Sequence, residues 1–330
     1  MSKHVFAQIG AGRIGKMHAA NLAAIPKVRI KHVVDHHPEA AKALAATLGA
    51  TASDIDGALG DKEVTAVIIT SSTNTHADFI EAAARAGKAI FCEKPVDLTM
   101  ARVETCLATV KACGVPLMIG FNRRFDPQFA ALKRQLNDGV IGKTEHIVIY
   151  NRDAAPPPPG FVPTSGGLFR DMSIHDFDTA RWLLGEEPNS VYAVGSNLVD
   201  PEIGAQGDID TGTITMTTAT GKHVVINTSR RSTFGYDQRL EVIGEKGLLQ
   251  AGNTPITTVS ASTAAGVTHS LPHYNFITRY ADAFRLELAA FVKALDTGTP
   301  PSPTGEDGRL ALRLAEAANK SMASGRAVKV

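Results

Sequence analysis

His4-Val5-Phe6-Ala7-Gln8-Ile9-Gly10-Ala11-Gly12-Arg13-Ile14-Gly15 is the stretch that decides the fold. Its apolar first half predicts a buried strand, His4 to Ile9, and a glycine-rich turn follows with no spacer. A helix pattern, Lys16 to Ala24, comes next. Between strand and helix, Gly10, Gly12 and Gly15 permit a tight turn and close backbone approach to a pyrophosphate at the helix N-terminus, with Arg13 and Ile14 beside it. A second strand, Val28 to Val34, ends in Asp35, where an acidic residue can accept bonds from adenosine ribose hydroxyls. That carboxylate would repel a 2′-phosphate. Two unit charges ~4 Å apart at an effective dielectric of ~20 repel by about 4 kcal/mol, an upper figure for a solvated pocket. His36, His37 and Pro38 follow, with no Lys or Arg to offset the repulsion, so NAD is expected over NADP. The His36-His37 pair reads as a solvated loop-to-helix junction rather than a metal ligand pair.

Working outward, the alternation continues. Helices are expected at Pro38 to Leu48 and Asp54 to Leu59, a strand at Ala66 to Thr70, and a helix from Thr75 to Ala86. A strand at Ala89 to Cys92, a helix from Met100 to Ala112 and a strand at Leu117 to Phe121 complete the series. This order implies a doubly wound parallel sheet, an α/β Rossmann domain whose ligands bind beyond the carboxyl ends of the strands. Polar clusters fall at those ends. Ser71, Asn74 and His76 follow one strand, Glu93-Lys94-Pro95 the next, and Asn122-Arg123-Arg124 the last. Ser71, Asn74, His76, Glu93, Lys94 and Asn122 join the glycine loop and Asp35 as the expected cofactor surface. Lys94 is either an exposed strand-end lysine or a cation aimed into the crevice. His76 either lines the cofactor loop or fills a structural role, and one of the two arginines could hold substrate oxygens.

The second half changes character. A helix from Asp126 to Leu136 bridges into a long strand, Glu145 to Asn151, then Arg152-Asp153 and the stiff extended loop of Pro156 to Pro159. Strands are expected at Val191 to Asn197, Thr211 to Ala219, Lys222 to Arg230, Arg239 to Ile243 and Ile256 to Ala261, with turns such as Thr220-Gly221. Helices from Thr278 to Leu295 and Gly305 to Ala323 close the chain. This is an α+β domain on a large, mostly antiparallel open sheet, helices on one face and the other face available to an oligomer. The expected division is 1–122 for the cofactor and 123–330 for substrate and oligomerisation, with the last helix packing back on the first domain.

Gly166-Gly167-Leu168-Phe169-Arg170-Asp171-Met172-Ser173-Ile174-His175-Asp176-Phe177-Asp178 reads as a turn feeding a helix that stops at Gly185. Asp171, His175 and Asp178, spaced by four and three, would share one helical face. A histidine between carboxylates can act as a base near neutrality, with its tautomer fixed by them. By itself the trio is equally a structural polar cluster, and a divalent-metal site is a third reading.

Composition narrows the classes. Lys+Arg 34 against Asp+Glu 33 gives a net charge of +1, with no basic excess for nucleic acid or membrane surfaces. Cys92, Cys106 and Cys113 show neither a paired framework nor metal spacing, which suits reduced thiols in a cytoplasmic protein. Met1-Ser2-Lys3 leads directly into a strand pattern, leaving no room for a signal peptide, and no apolar run approaches a membrane span.

With these residues placed, the chain resembles the Gfo/Idh/MocA family over its whole length, and within it the inositol 2-dehydrogenase group. The most specific points are Glu93-Lys94-Pro95 and the Asp171-x-x-x-His175 pair. The resemblance implies a catalytic set of Lys94, Asp171 and His175. It implies substrate contacts from Arg123 in Gly120-Phe121-Asn122-Arg123-Arg124 and from Tyr236 in Gly235-Tyr236-Asp237, and a homotetramer. Ser71-Ser72 stands where the family commonly has Thr-Pro. Asp153 and Phe284 stand where some inositol dehydrogenases carry Asn and Tyr, which bears on the preferred polyol. The expected reaction is oxidation of a ring hydroxyl of a cyclic polyol, myo-inositol to 2-keto-myo-inositol. NAD takes the hydride, His175 takes the proton, Lys94 stabilises the oxygen, and Asp178, Asp153, Arg123 and Tyr236 hold neighbouring hydroxyls. No metal is required. Other readings are a sister enzyme acting on scyllo-inositol or another sugar, a metal-dependent enzyme, and a non-catalytic NAD-binding sensor.

Overall fold

The computed structural model describes residues 4–158 and 160–330. Met1-Ser2-Lys3, on which the leader expectation rests, and Pro159, the last of the proline run, lie outside the described residues. The chain divides into two compact units, residues 1–125 with 282–312, and residues 126–281 with 313–330.

The first unit alternates strand and helix: β1 (His4–Ile9), α1 (Arg13–Ala23), β2 (Val28–Val34), α2 (Pro38–Leu48), β3 (Thr51–Ala52), α3 (Ile55–Gly60), β4 (Ala66–Ile69), α4 (His76–Arg85), β5 (Ala89–Glu93), α5 (Met100–Cys113) and β6 (Leu117–Gly120). The six strands are parallel in the order β3-β2-β1-β4-β5-β6. β1, β4 and β6 are buried along their whole length, as strands covered on both faces must be. Phe6 and Phe91 meet Phe291 at ring-centroid distances of 6.2 and 5.9 Å. Each such ring taken out of water stabilises the unit by about 1.5–3 kcal/mol. The strand order reverses direction between β1 and β4, which opens the crevice where ligands of such sheets bind.

The second unit contains α6 (Pro127–Asn137), β7 (Thr144–Arg152), α7 (Val162–Ser165), α8 (Leu168–Asp171), α9 (Ile174–Leu184), β8 (Pro188–Ser196), α10 (Pro201–Ala205), β9 (Thr211–Thr218), β10 (His223–Ser229), β11 (Asp237–Gly244), β12 (Gly247–Ala251), β13 (Ser260–Thr263), β14 (Gly266–His269) and α11 (Phe276–Arg279). After α12 (Ala281–Thr297) and α13 (Gly305–Ser324), β15 (Val328–Lys329) ends the chain. Seven strands form one sheet in the order β12-β11-β7-β10-β9-β8-β15. All neighbours in it are antiparallel except β7 and β10. Residues of β9 alternate half-buried and buried, the mark of a sheet with one packed face. On the other face Tyr192, Val194, Ile243 and Leu248 are exposed.

Three details differ from the sequence reading. β12 arises from a turn at Glu245-Lys246, too short a run to stand out by pattern. The strand expected at Ile256 to Ala261 starts later, as β13, and pairs only with β14. Every residue of that hairpin is exposed, so there is no apolar face to attach it to the sheet. The helix expected to carry Asp171, His175 and Asp178 is broken. The amides of Met172 and Ser173 both donate to the Leu168 carbonyl, so the ladder loses a step between α8 and α9.

Candidate active site

In the first unit the glycine turn has three different requirements. Gly10 adopts φ +99, and a Cβ there would stand 2.7 Å from the Thr70 carbonyl. A Cβ on Gly15 would collide with the Gly10 carbonyl. Gly12 meets nothing within 4 Å, so its surface is open at the N-terminus of α1, the end of a helix that favours an anion. Asp35, at the end of β2, is oriented by two backbone donors, Ala11 N at 2.6 Å and His37 N at 2.8 Å. Each carboxylate oxygen keeps further acceptor capacity for ribose hydroxyls. These residues fit a dinucleotide.

The other strand ends are more committed. His76 is buried, with Nδ1 2.8 Å from the Pro95 carbonyl and Nε2 3.0 Å from the Ser71 carbonyl. Burial outweighs both contacts and holds its imidazole below the ordinary value. A neutral ring has one N–H and donates to one of these carbonyls at a time, which holds His76 between the segments that follow β4 and β5. Ser71 bonds Thr75 side chain to side chain at 2.7 Å, and Asn74 is exposed in the following turn. Asn122 and Arg123 are each 3% exposed in the turn after β6, while Arg124 donates to Asp307 at 2.9 Å. Glu93 accepts from the Lys94 amide at 3.2 Å and meets His18 Nε2 at 2.6 Å, so its carboxylate is engaged within the unit. Lys94 follows, half-buried, at the end of β5.

In the second unit the parallel pairing of β7 with β10 places their carboxyl ends side by side, with Arg152 opposite Ser229. Asp153 and Arg230 are the next residues on each. Arg230, 2% exposed, stands 3.2 Å from Asp171 Oδ2 and 3.5 Å from Asp153 Oδ2. Its Nε and Nη2 have no hydrogen-bond partner among the described residues. Arg230 thus joins two predicted site carboxylates, and sequence reading missed it. α9 is pinned beside them by a buried polar contact: Asn151 of β7 donates to Asp176 at 2.6 Å, and Gln238 of β11 lies 3.5 Å from the same carboxylate. That anchors the residue next to half-buried His175. Asp178 is fully buried, 3.8 Å from Arg181, which also holds Glu187 at 2.6 Å. Tyr236 is 4% exposed, its amide donating to the His273 carbonyl at 2.8 Å and its ring edge-on to Tyr280 at 5.9 Å. Preceding Gly235 needs φ +120, with Pro272 O only 3.0 Å from a Cβ. Among the described residues, the three ligand-type side chains that converge closely enough for a metal are His18, Glu93 and Glu287, not the Asp171 trio.

A glycine turn at the switch point of a parallel sheet, with Asp35 closing the next strand, defines a dinucleotide-binding Rossmann protein, and a second α+β unit gathers Arg230, Asp171 and Asp153 at the carboxyl ends of β7 and β10. The chain belongs to the GFO/IDH/MocA family. The family described as an oxidoreductase family with an NAD-binding Rossmann fold matches residues 5–121, and the GFO/IDH/MocA C-terminal domain matches residues 129–250. The chain is 46% identical to an inositol 2-dehydrogenase of Rhizobium meliloti (strain 1021) over 98% of each chain. It is 43% identical to a myo-inositol 2-dehydrogenase of Thermotoga maritima, over 98% of this chain and 97% of the other. It also resembles the crystal structure of scyllo-inositol dehydrogenase from Lactobacillus casei with bound NAD(H) and scyllo-inositol. There the TM-score is 0.92 at 30% identity, covering 99% of this chain and 98% of the other.

Proposed function

We propose that this oxidoreductase is an NAD-dependent dehydrogenase that oxidises a ring hydroxyl of myo-inositol to the ketone 2-keto-myo-inositol. The observation that carries the substrate is the 46% identity, over nearly the full length of both chains, to an inositol 2-dehydrogenase. The first unit binds the coenzyme and the second supplies most of the polyol contacts. Hydride acceptance is the chemistry NAD supplies when bound. His175 takes the hydroxyl proton as general base, and Asp171 orients its ring. Arg230, 3.2 Å from Asp171, holds that carboxylate in place. Lys94 donates to the reacting oxygen and stabilises the alkoxide charge as it develops. Arg123, Asp153, Asp178 and Tyr236 engage other ring hydroxyls, which selects the carbon that reacts. The half-exposed apolar sheet face carrying Tyr192, Val194, Ile243 and Leu248 suits burial against further copies, in keeping with a homotetramer. Free Cys92, Cys106 and Cys113 suit a reducing cytoplasm.

The experiment is a coenzyme-reduction panel at saturating NAD. Myo-inositol should give the highest kcat/KM, pyranoses such as glucose less, and short alcohols or 2-hydroxy acids none. A short alcohol or 2-hydroxy acid as best substrate would overturn the polyol assignment. A second reading, preference for scyllo-inositol, is favoured by the likeness to the L. casei scyllo-inositol dehydrogenase. Scyllo-inositol added to the same panel separates the two by which isomer gives the higher kcat/KM.

A further inference from the structure

His18 on α1, Glu93 at the end of β5 and Glu287 on α12 bring ligand-type atoms within 4.8 Å of one another inside the first unit. His18 and Glu287 are 0% exposed and the Glu93 side chain 13%. The surroundings are aromatic: the His18 ring is edge-on to Phe91 at 5.4 Å and to Phe284 at 5.5 Å. Two bonds hold the Glu93 carboxylate, His18 Nε2 at 2.6 Å on one oxygen and the Lys94 amide at 3.2 Å on the other. The chain makes room for it. Gly120 lies opposite Glu93 in the strand register, and a Cβ there would come within 3.2 Å of the carboxyl carbon. Neither oxygen of Glu287 has a hydrogen-bond partner among the described residues.

A metal ion is the first candidate to occupy such a cluster, and the geometry argues against it. Two donors bound at ~2.0–2.2 Å to one tetrahedral cation stand about 3.3–3.6 Å apart. The 2.6 Å contact between His18 and Glu93 is a hydrogen-bond length, so a proton lies between them. Burial, then the charge of Glu93, pushes the Glu287 carboxyl well above the ordinary range, which favours its neutral form. Burial acts on Glu93 in the same sense. There the hydrogen bond from His18 and the neighbouring Lys94 ammonium outweigh it and hold Glu93 below the ordinary carboxylate value. Four elements face the cluster with titratable groups: α1, the β5 end, α4 with His76, and α12.

We propose that His18, Glu93 and Glu287 are positioning residues that fix the end of β5 and so set where Lys94 presents its ammonium. The proposal rests on the reading of Lys94 as the donor to the reacting oxygen. Glu93 ties the Lys94 amide to α1 by bonds that an apolar surrounding strengthens, so the strand end cannot swing without stranding a buried charge. Glu287 fills the space beside it as a neutral acid. Its ionisation would place a second anion there, drawing the Lys94 ammonium toward the cluster and away from substrate.

The test compares Lys94→Ala, Glu93→Gln and Glu287→Gln for kcat, both KM values, the pH profile, and thermal unfolding against pH. Glu93→Gln should lose about 10-fold or more in kcat with KM for NAD within about 3-fold, the signature of a misplaced group. Glu287→Gln should carry the alkaline decline of kcat at least about one pH unit higher. It should also flatten the stability profile. A carboxyl with a raised folded pKa contributes fully below the ordinary carboxylate value, and that contribution is lost as pH climbs toward the folded value. An amide has no such slope. Should Glu93→Gln fail to fold, the Glu287→Gln profiles decide alone. If Lys94→Ala loses ~10²-fold while Glu93→Gln and Glu287→Gln match wild type in kcat and pH profile, the cluster proposal is overturned and the Lys94 reading stands. If Lys94→Ala keeps wild-type turnover, the Lys94 reading falls and the cluster proposal with it.

Discussion

Arg230→Gln probes the second unit's site most sharply. The guanidinium is buried against Asp171 at 3.2 Å and Asp153 at 3.5 Å, and those carboxylate side chains are 18% and 27% exposed. Removing one member of a fully buried ion pair costs about 3–5 kcal/mol, because the other charge is left uncompensated. An exposed pair contributes only about 0–1 kcal/mol. With the cation buried and both anions partly solvated, ~2–3 kcal/mol is expected for Arg230→Gln. At an m-value of about 2–3 kcal/mol/M this lowers the urea midpoint by roughly 1 M. On the proposed function, in which Asp171 orients His175, activity should fall further than stability alone explains, since Asp171 loses the guanidinium 3.2 Å from it. A misdirected carboxylate in a catalytic pair is worth about 10- to 100-fold in kcat. NAD affinity, measured by fluorescence titration, should stay within about 2-fold, because Asp35 and the glycine turn lie in the other unit. Arg230→Lys should fall between the two, keeping the charge without the planar fork. A folded Arg230→Gln with wild-type kcat and an unchanged urea midpoint would refute this view of the site.

Other tests follow from single residues. Asp35, held by two backbone amides, should make NAD better than NADP by at least ~10-fold in kcat/KM, well under the full ~4 kcal/mol because solvent and ions screen the site. Equal efficiency with both coenzymes would contradict it. Only neutral imidazole accepts a proton, so the rate should rise with pH through the histidine range and hold above it until the alkaline decline assigned to Glu287. The rise should move to lower pH in Asp171→Asn, where imidazolium loses a stabilising carboxylate. A His175→Asn variant with near-normal rate and the same profile would remove the base. Asp153→Asn trades a pure acceptor for one acceptor and one donor, so it should reorder the polyol preference while leaving NAD binding within about 2-fold.

Legibility in the sequence followed contact range. The glycine turn, Asp35 and the strand-helix alternation are local patterns, and each reads directly from residues a few positions apart. The antiparallel strands of the second unit were visible as apolar alternation, whereas the parallel pairing of β7 with β10 was not. That pairing brings Arg230 to Asp171, 59 residues away, and no local spacing signals it. His18 and Glu93 are 75 residues apart and meet only because α1 packs under the end of β5. A polar residue on the apolar side of α1, and an acid among the apolar positions of α12, were the available signals. The helix break at Met172-Ser173 was equally hidden, since Asp171 and His175 keep helical spacing on either side of it.

The most direct test uses myo-inositol carrying deuterium on the carbon that bears the axial hydroxyl, with NAD as coenzyme. The expected result is deuterium in the nicotinamide ring of the reduced coenzyme, in amount equal to the ketone formed. Reduced coenzyme without deuterium, or no reduced coenzyme from myo-inositol or its scyllo isomer, would contradict hydride transfer from that carbon.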